Sequence, residues 1–92
     1  MSAADRPALI RARLEAVLAP DALEIIDEGH LHRGHAGARD GRGHFRVRIV
    51  SPRFAGVRTV ARHRLVYEAV GELMQSDIHA LAITALAPGE QD

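Results

Sequence analysis

The segment from Ile78 to Leu86 is the feature that most restricts how this chain folds. It is strongly apolar, and Pro88 and Gly89 end it shortly afterwards. The segment is too short for a core helix and is typical of a strand that is buried on both faces. Such a strand needs partner strands and covering helices. A chain of 92 residues must supply them within one domain.

The remaining segments divide by their periodicity. Pro7 and the apolar row that starts at Ile10 predict a helix over residues 6–18, which Pro20 ends. Alternation of apolar residues with arginine predicts a half-buried strand over residues 44–50. The other predicted elements are a strand over 23–27, a glycine-rich loop over 28–43, a tight or helical turn over 51–56 and a broadly buried helix over 57–75.

These elements predict an α+β domain in the order αββααβ. The first two strands can pair antiparallel across the glycine-rich loop. The last strand follows a helical crossover, so it is expected to run parallel to the second strand. The result is a small three-stranded mixed sheet with helices on one face. A single domain is expected over residues 1–92, with frayed ends at about 1–5 and 88–92.

Composition excludes several classes of protein. The chain has no cysteine, which removes disulfide scaffolds, thiol catalysis and thiolate metal sites built from this chain alone. Common nucleophile, phosphate-loop, zinc-protease and dinucleotide motifs are absent, so the chain is predicted not to be an enzyme. No apolar run approaches the roughly 18–20 residues of a membrane span. Without a signal-peptide pattern, a cytoplasmic protein is expected.

Basic charge is concentrated in one part of the chain. Arginine supplies all twelve basic residues, and nine of these lie between residues 33 and 64. That segment contains one acid, so it carries a charge of +8 and the rest of the chain carries −8. This pattern indicates either a surface that merely segregates its charge, or a basic face for an acidic partner or nucleic acid.

A helix-turn-helix outline accompanies the basic segment. The cluster Arg62-His63-Arg64 lies near the start of the predicted long helix, after a short turn and a glycine. Arginines in this setting favour phosphate contacts, although a single basic helix is common. His63 is otherwise interpreted as a helix histidine packed beside Tyr67. The candidate partner or DNA contacts are Arg53, Arg58, Arg62, His63 and Arg64.

Histidine is the remaining ligand for a transition metal in a chain without cysteine. Three of the six histidines, His30, His32 and His35, crowd the glycine-rich loop. They are either tolerated polar residues or part of a mobile arm that brings an imidazole to a metal. Spacing alone leaves both interpretations open.

His79 occupies the second position of the apolar strand. Regular alternation would place it on the same face as Leu81 and Ile83. A lone histidine in such a place is usually a core residue whose ring is hydrogen-bonded. From the pattern alone, a structural role for His79 is therefore favoured over a ligand role.

Several short motifs together resemble the BolA family. The resemblance covers about residues 8–86, in matching order and spacing. The motifs are Asp27-Glu28, Gly34-His35, His44-Phe45, Ser51-Pro52-Arg53-Phe54-Ala55-Gly56, Arg62-His63-Arg64-Leu65-Val66-Tyr67 and Ile78-His79-Ala80-Leu81.

The resemblance implies a fold similar to the class II KH topology and a role as partner of monothiol glutaredoxins. In that family the pair shares a [2Fe–2S] cluster, for which the glutaredoxin supplies a cysteine and a bound glutathione. His79 matches the ligand in the last motif, and His35 is the best match for the loop ligand. His30 and His32 are close enough to substitute for His35.

The same resemblance implies two functions. The first is iron–sulfur cluster trafficking or iron homeostasis, with no cofactor in the isolated chain. The alternative is a DNA-binding transcriptional regulator that uses the basic helix-turn-helix-like segment. The Gly-x-x-Gly loop of KH domains is absent from the corresponding place, which argues against RNA binding by that route.

Overall fold

A computed structural model of the chain describes residues 5–29 and 43–92. Helix α1 spans Arg6–Leu18, and strands β1 and β2 span Ala22–Asp27 and Gly43–Val50. After a 3-10 turn at Pro52–Phe54, helices α2 and α3 cover Thr59–Val70 and Leu73–Ser76, and strand β3 covers Ile78–Leu86. No helix in these ranges is long and apolar enough to cross a membrane.

The three strands form one mixed sheet in the order β1-β2-β3. Strand β1 pairs antiparallel with β2, and β3 pairs parallel with β2. Both pairings and the αββααβ order confirm the fold predicted from the sequence. A parallel pair needs a long crossover connection, and the segment from the 3-10 turn through α3 provides it.

One face of the sheet is covered by helices. Phe45, Val47 and Ile49 of β2 point into the core, where they join the apolar rows of α1 and α2. The alternate residues of β2 face away from the helices, and among them Arg46 is exposed. The sheet therefore has one buried face and one open face, as the alternation in the sequence indicated.

The predicted helix over residues 57–75 is interrupted. Arg58 is extended, so α2 begins at Thr59, and Gly71 ends it with φ 56° and ψ −129°. An L side chain rarely adopts this conformation, whereas glycine does so without a Cβ penalty. Gly71 thus turns the chain into the short helix α3, which leads directly into β3. The expectation of one continuous helix was wrong here.

Strand β3 is not buried on both faces. It lies at an edge of the sheet, and Ala80 on its open face is exposed, whereas Leu81 and Ala85 are buried against the helices. The open face carries the small residues Ala80, Ala82 and Thr84 before it ends at Leu86. The high apolar content of β3 therefore indicates small side chains at an edge rather than complete burial.

Side chains of α2 cap the outer edge of β3. The Tyr67 hydroxyl donates to the Leu81 carbonyl at 3.4 Å, and the Arg62 guanidinium donates to the Ala85 carbonyl at 3.1 Å. An uncapped edge strand is a template for pairing with another chain. These two side chains occupy acceptors that such pairing would use.

Arg62 also holds the end of the chain. Its Nε donates to the Val57 carbonyl at 2.7 Å, and its guanidinium forms an ion pair with Glu90 (Nη2–Oε2 2.9 Å). The Glu90 carboxylate accepts a further bond from the Ala87 amide at 3.0 Å. Residues 88–92, expected to fray, thus include a carboxylate that is tied to α2.

We expect Glu90→Gln to lower the melting temperature by several degrees at neutral pH. The Arg62 guanidinium and the Ala87 amide lower the pKa of Glu90 from 4.5 to about 2. The ionised carboxylate therefore stabilises the fold above pH 4.5, and this contribution is lost as the pH falls towards 2. Thermal melts across this range should show the two proteins converging in acid.

Glu68→Gln is the matched control, because Glu68 is exposed on α2 and forms no ion pair among the described residues. Its melting curve should follow that of the wild type at each pH. Equal melting temperatures for Glu90→Gln and wild type at pH 7 would contradict a stabilising role for the Arg62–Glu90 pair.

Candidate functional site

A β-bulge sets the position of His79. Gly43 lies opposite Ile78, but the next residue, His44, lies opposite Ala80. His79 is therefore an extra residue on β3 without a partner position on β2. Bulges of this kind redirect side chains and are over-represented next to active sites.

The bulge brings His79 against His44. The two imidazole rings lie with their centroids 5.0 Å apart and tilted by 47°. His44 belongs to the open-face set of β2 and is only 8% exposed, whereas His79 is exposed. The expectation that His79 lies on the core face with Leu81 was wrong, because regular alternation does not hold across the bulge.

Gly43 leaves no room for a side chain at the bulge. A Cβ placed there would lie 2.5 Å from Cε2 of the Phe45 ring. Phe45 is itself a fully buried core residue. The core thus dictates a glycine at the start of β2, immediately beside the histidine pair.

His35, the predicted loop ligand, and its possible substitutes His30 and His32 lie outside the described residues. The ends of their segment are nevertheless fixed, since the Glu28 amide donates to the His44 carbonyl at 2.8 Å. The chain between these two residues therefore leaves and returns at the histidine pair.

Two carboxylates near the histidine pair, those of Glu28 after β1 and Asp77 after α3, form ion pairs with arginines. Glu28 pairs with Arg46 at 3.0 Å, and Asp77 pairs with Arg6 at 3.3 Å. The Ser76 hydroxyl and the Arg6 guanidinium lower the pKa of Asp77, so it remains ionised at neutral pH. Within residues 5–29 and 43–92, no three His, Asp or Glu side chains form a group suited to a metal ion.

Helix α2 presents a second surface near the edge of β3. His63 and Arg64 line a groove of about 480 Å³ together with Val60, Tyr67 and Glu68. Val60 and Tyr67 are unusually exposed for large apolar residues. The Tyr67 hydroxyl bond to Leu81 places one end of this groove two residues from His79 along β3.

Of the predicted contact residues, His63 is half-buried in this groove, and the four arginines separate into two groups. Arg53, Arg58 and Arg64 are exposed and form no ion pair among the described residues. Arg62 is buried, and its guanidinium serves the fold instead of facing a partner. Sequence reasoning missed this role because arginine on a helix ordinarily points to solvent.

His44 was also missed as a site residue. The sequence analysis used it only as one half of the His44-Phe45 motif. Strict alternation places it on the open face of β2. Only the bulge in β3 brings a second imidazole against it, and no feature of the sequence marks that bulge.

Comparison with known proteins extends the similarity over most of the chain. The family model described as BolA-like protein matches residues 14–90. BolA-like protein 1 of Mus musculus is 46% identical over 83 residues, which cover 90% of this chain and 58% of that protein. The chain thus spans just over half the length of this relative.

A bacterial relative and a solved structure agree with this family. DNA-binding transcriptional regulator BolA of Vibrio cholerae is 41% identical over 75 residues, covering 82% of this chain and 68% of that protein. The BolA domain of SufE1 from Arabidopsis thaliana is 42% identical. Its structure matches with a TM-score of 0.82, covering 94% of this chain and 95% of that domain.

We expect Gly43→Ala to disturb the histidine pair. The new Cβ must displace the Phe45 ring or the backbone at the bulge, at a cost of about 1–3 kcal/mol. NMR of the imidazole groups should show shifted His44 and His79 resonances, and urea denaturation should show lower stability. Thr84→Ala, on the open face away from the bulge, is the control. Unchanged resonances in Gly43→Ala would mean that the bulge tolerates a side chain.

Proposed function

Because this chain belongs to the BolA-like family, we propose that it binds a monothiol glutaredoxin and shares a [2Fe–2S] cluster with it. The protein then acts in iron–sulfur cluster trafficking or iron homeostasis and is not an enzyme. The observation that supports this role is the exposed imidazole of His79, which a bulge directs out of the sheet.

His79 is suited to an iron ligand by its place in the fold. Its backbone belongs to a strand paired with β2, so the imidazole is offered from a rigid base. Exposure lets a docking partner reach the ring without opening the core. Histidine replaces cysteine on one iron of Rieske centres, where it raises the reduction potential.

In this proposal the second ligand comes from residues 30–42, and His35 is the candidate. The bond between Glu28 and His44 tethers both ends of that segment beside His79. The glutaredoxin supplies its cysteine and the bound glutathione to the other iron.

The groove on α2 gives the glutaredoxin a surface beyond the ligands. It joins the apolar side chains of Val60 and Tyr67 with the exposed guanidinium of Arg64, and it ends near His79. A partner that covers both features would exclude water from the cluster while its iron meets His79. Arg62 takes no part, since it is bound within the fold.

Anaerobic reconstitution tests this proposal. The chain, a monothiol glutaredoxin, glutathione, iron and sulfide are mixed and separated by gel filtration, with visible absorption and circular dichroism. Wild type should co-elute with a cluster whose spectrum differs from that of glutaredoxin alone. His79→Ala should lose this spectrum or reduce the cluster-bearing complex at least about tenfold, because removal of a residue that holds or supports a metal commonly costs 10–100-fold.

Gln75→Ala, an exposed change on α3, is the control and should behave as wild type. His35→Ala, with His30→Ala and His32→Ala in parallel, identifies the loop ligand. A wild-type spectrum and complex stability in His79→Ala would remove His79 from the cluster. A colourless wild type that elutes by itself would refute the proposal.

DNA binding is the second candidate function. The exposed guanidinium groups of Arg53, Arg58 and Arg64 have no ion pair among the described residues, so they are available to phosphates. The Vibrio cholerae relative is named as a DNA-binding regulator. Each arginine that contacts a phosphate adds a salt-dependent contribution to the affinity.

We expect Arg58→Ala combined with Arg64→Ala to weaken DNA binding. The slope of log affinity against log salt should fall by about 1 for each phosphate that is no longer neutralised by an arginine. Band-shift titrations over a salt series measure both quantities. Gln75→Ala, an exposed change on α3 that leaves the net charge unaltered, is the control and should keep the wild-type affinity and slope. Affinity that shows no sequence preference over bulk DNA would exclude a specific regulator.

A further inference from the structure

We propose that the chain on its own, without glutaredoxin or sulfide, binds one divalent transition-metal ion between His44 and His79. This inference goes beyond the proposed function, since it concerns a mononuclear site with a ligand pair inside this chain. It rests on the juxtaposition of the two imidazoles at the bulge.

The separation of the rings fits two ligands of one ion. Imidazole nitrogens bind zinc at about 2.0–2.1 Å, which places each ring centroid about 3.2 Å from the metal. For ligand angles of about 100–110°, two such centroids lie about 4.9–5.2 Å apart. The observed separation of 5.0 Å falls within this range. Packed aromatic rings also lie with their centroids about 4.5–7 Å apart, so the metal titration below, and not the spacing, separates a ligand pair from a packing pair.

The surroundings of the pair determine the kind of ion. Imidazole suits zinc, copper and nickel, whereas magnesium and calcium prefer oxygen ligands. Glu28 follows the end of β1 and Asp77 follows the end of α3. Their carboxylates are already paired with Arg46 and Arg6. Among the described residues no further side chain is offered to the ion, which approaches from the side of the exposed His79.

The site also has a consequence for the proposed partnership. His79 is the one side chain that both sites require. A metal ion held by His44 and His79 and a cluster ligated by His79 are therefore mutually exclusive. The two proposals nevertheless fail separately, because one is tested on the chain alone and the other on the mixed complex.

Titration of the isolated chain with nickel tests the site. Calorimetry measures the affinity and the number of ions bound, and NMR measures the imidazole resonances. Wild type should bind one ion, and the His44 and His79 imidazole resonances should broaden first because nickel is paramagnetic. His79→Ala and His44→Phe should each weaken binding at least tenfold. His44→Phe keeps a ring in the pair, and a thermal melt establishes that it folds. Should it not fold, His44→Asn replaces it.

Two controls decide between this site and others. His63→Ala removes a histidine from the middle of α2 and should leave the affinity unchanged. Combined replacement of His30, His32 and His35 by asparagine should leave a one-to-one complex that still depends on His44. The proposal is overturned if wild type binds no nickel, or if the triple replacement abolishes binding while His44→Phe and His79→Ala retain it.

Discussion

The parallel pairing of β2 with β3 is the constraint on which the rest of this molecule depends. It requires the chain to leave β2 at one end of the sheet and re-enter beside its start. The 3-10 turn, α2 and α3 make that return, and Gly71 supplies the sharp change of direction that α2 alone could not make. The same pairing fixes the irregular register at Gly43 and His44.

The irregular register between β2 and β3 lies where the packing of the core meets the two histidines of the candidate site. The buried Phe45 ring fills the space where a side chain on residue 43 would lie. Residue 43 is therefore a glycine, and the extra residue on the neighbouring strand, His79, faces out of the sheet. The packing of Phe45 over Gly43 and the bulge that exposes His79 against His44 therefore lie side by side in the sheet.

Ion pairs within the fold neutralise part of the positive charge of the basic segment, which spans residues 33–64. Of its arginines within residues 43–64, Arg46, Arg48 and Arg62 form ion pairs with Glu28, Asp92 and Glu90. The Arg48–Asp92 pair is exposed and contributes little, whereas the Arg62 pair is partly buried and ties the chain terminus to α2. Among the described residues, Arg53, Arg58 and Arg64 stay exposed without an ion pair and are available to an acidic partner or a nucleic acid.

By itself, the sequence determined the order of the elements, both strand pairings and the division of β2 into a core face and an arginine face. These follow from local periodicity and from the chirality of a crossover, which depend on neighbouring residues. Tertiary structure alone decided that β3 lies at an edge, that Arg62 turns inward and that His79 leaves the core face. Each of these depends on contacts between residues far apart in the chain, and a one-residue bulge reverses a side chain without leaving a mark on the periodicity.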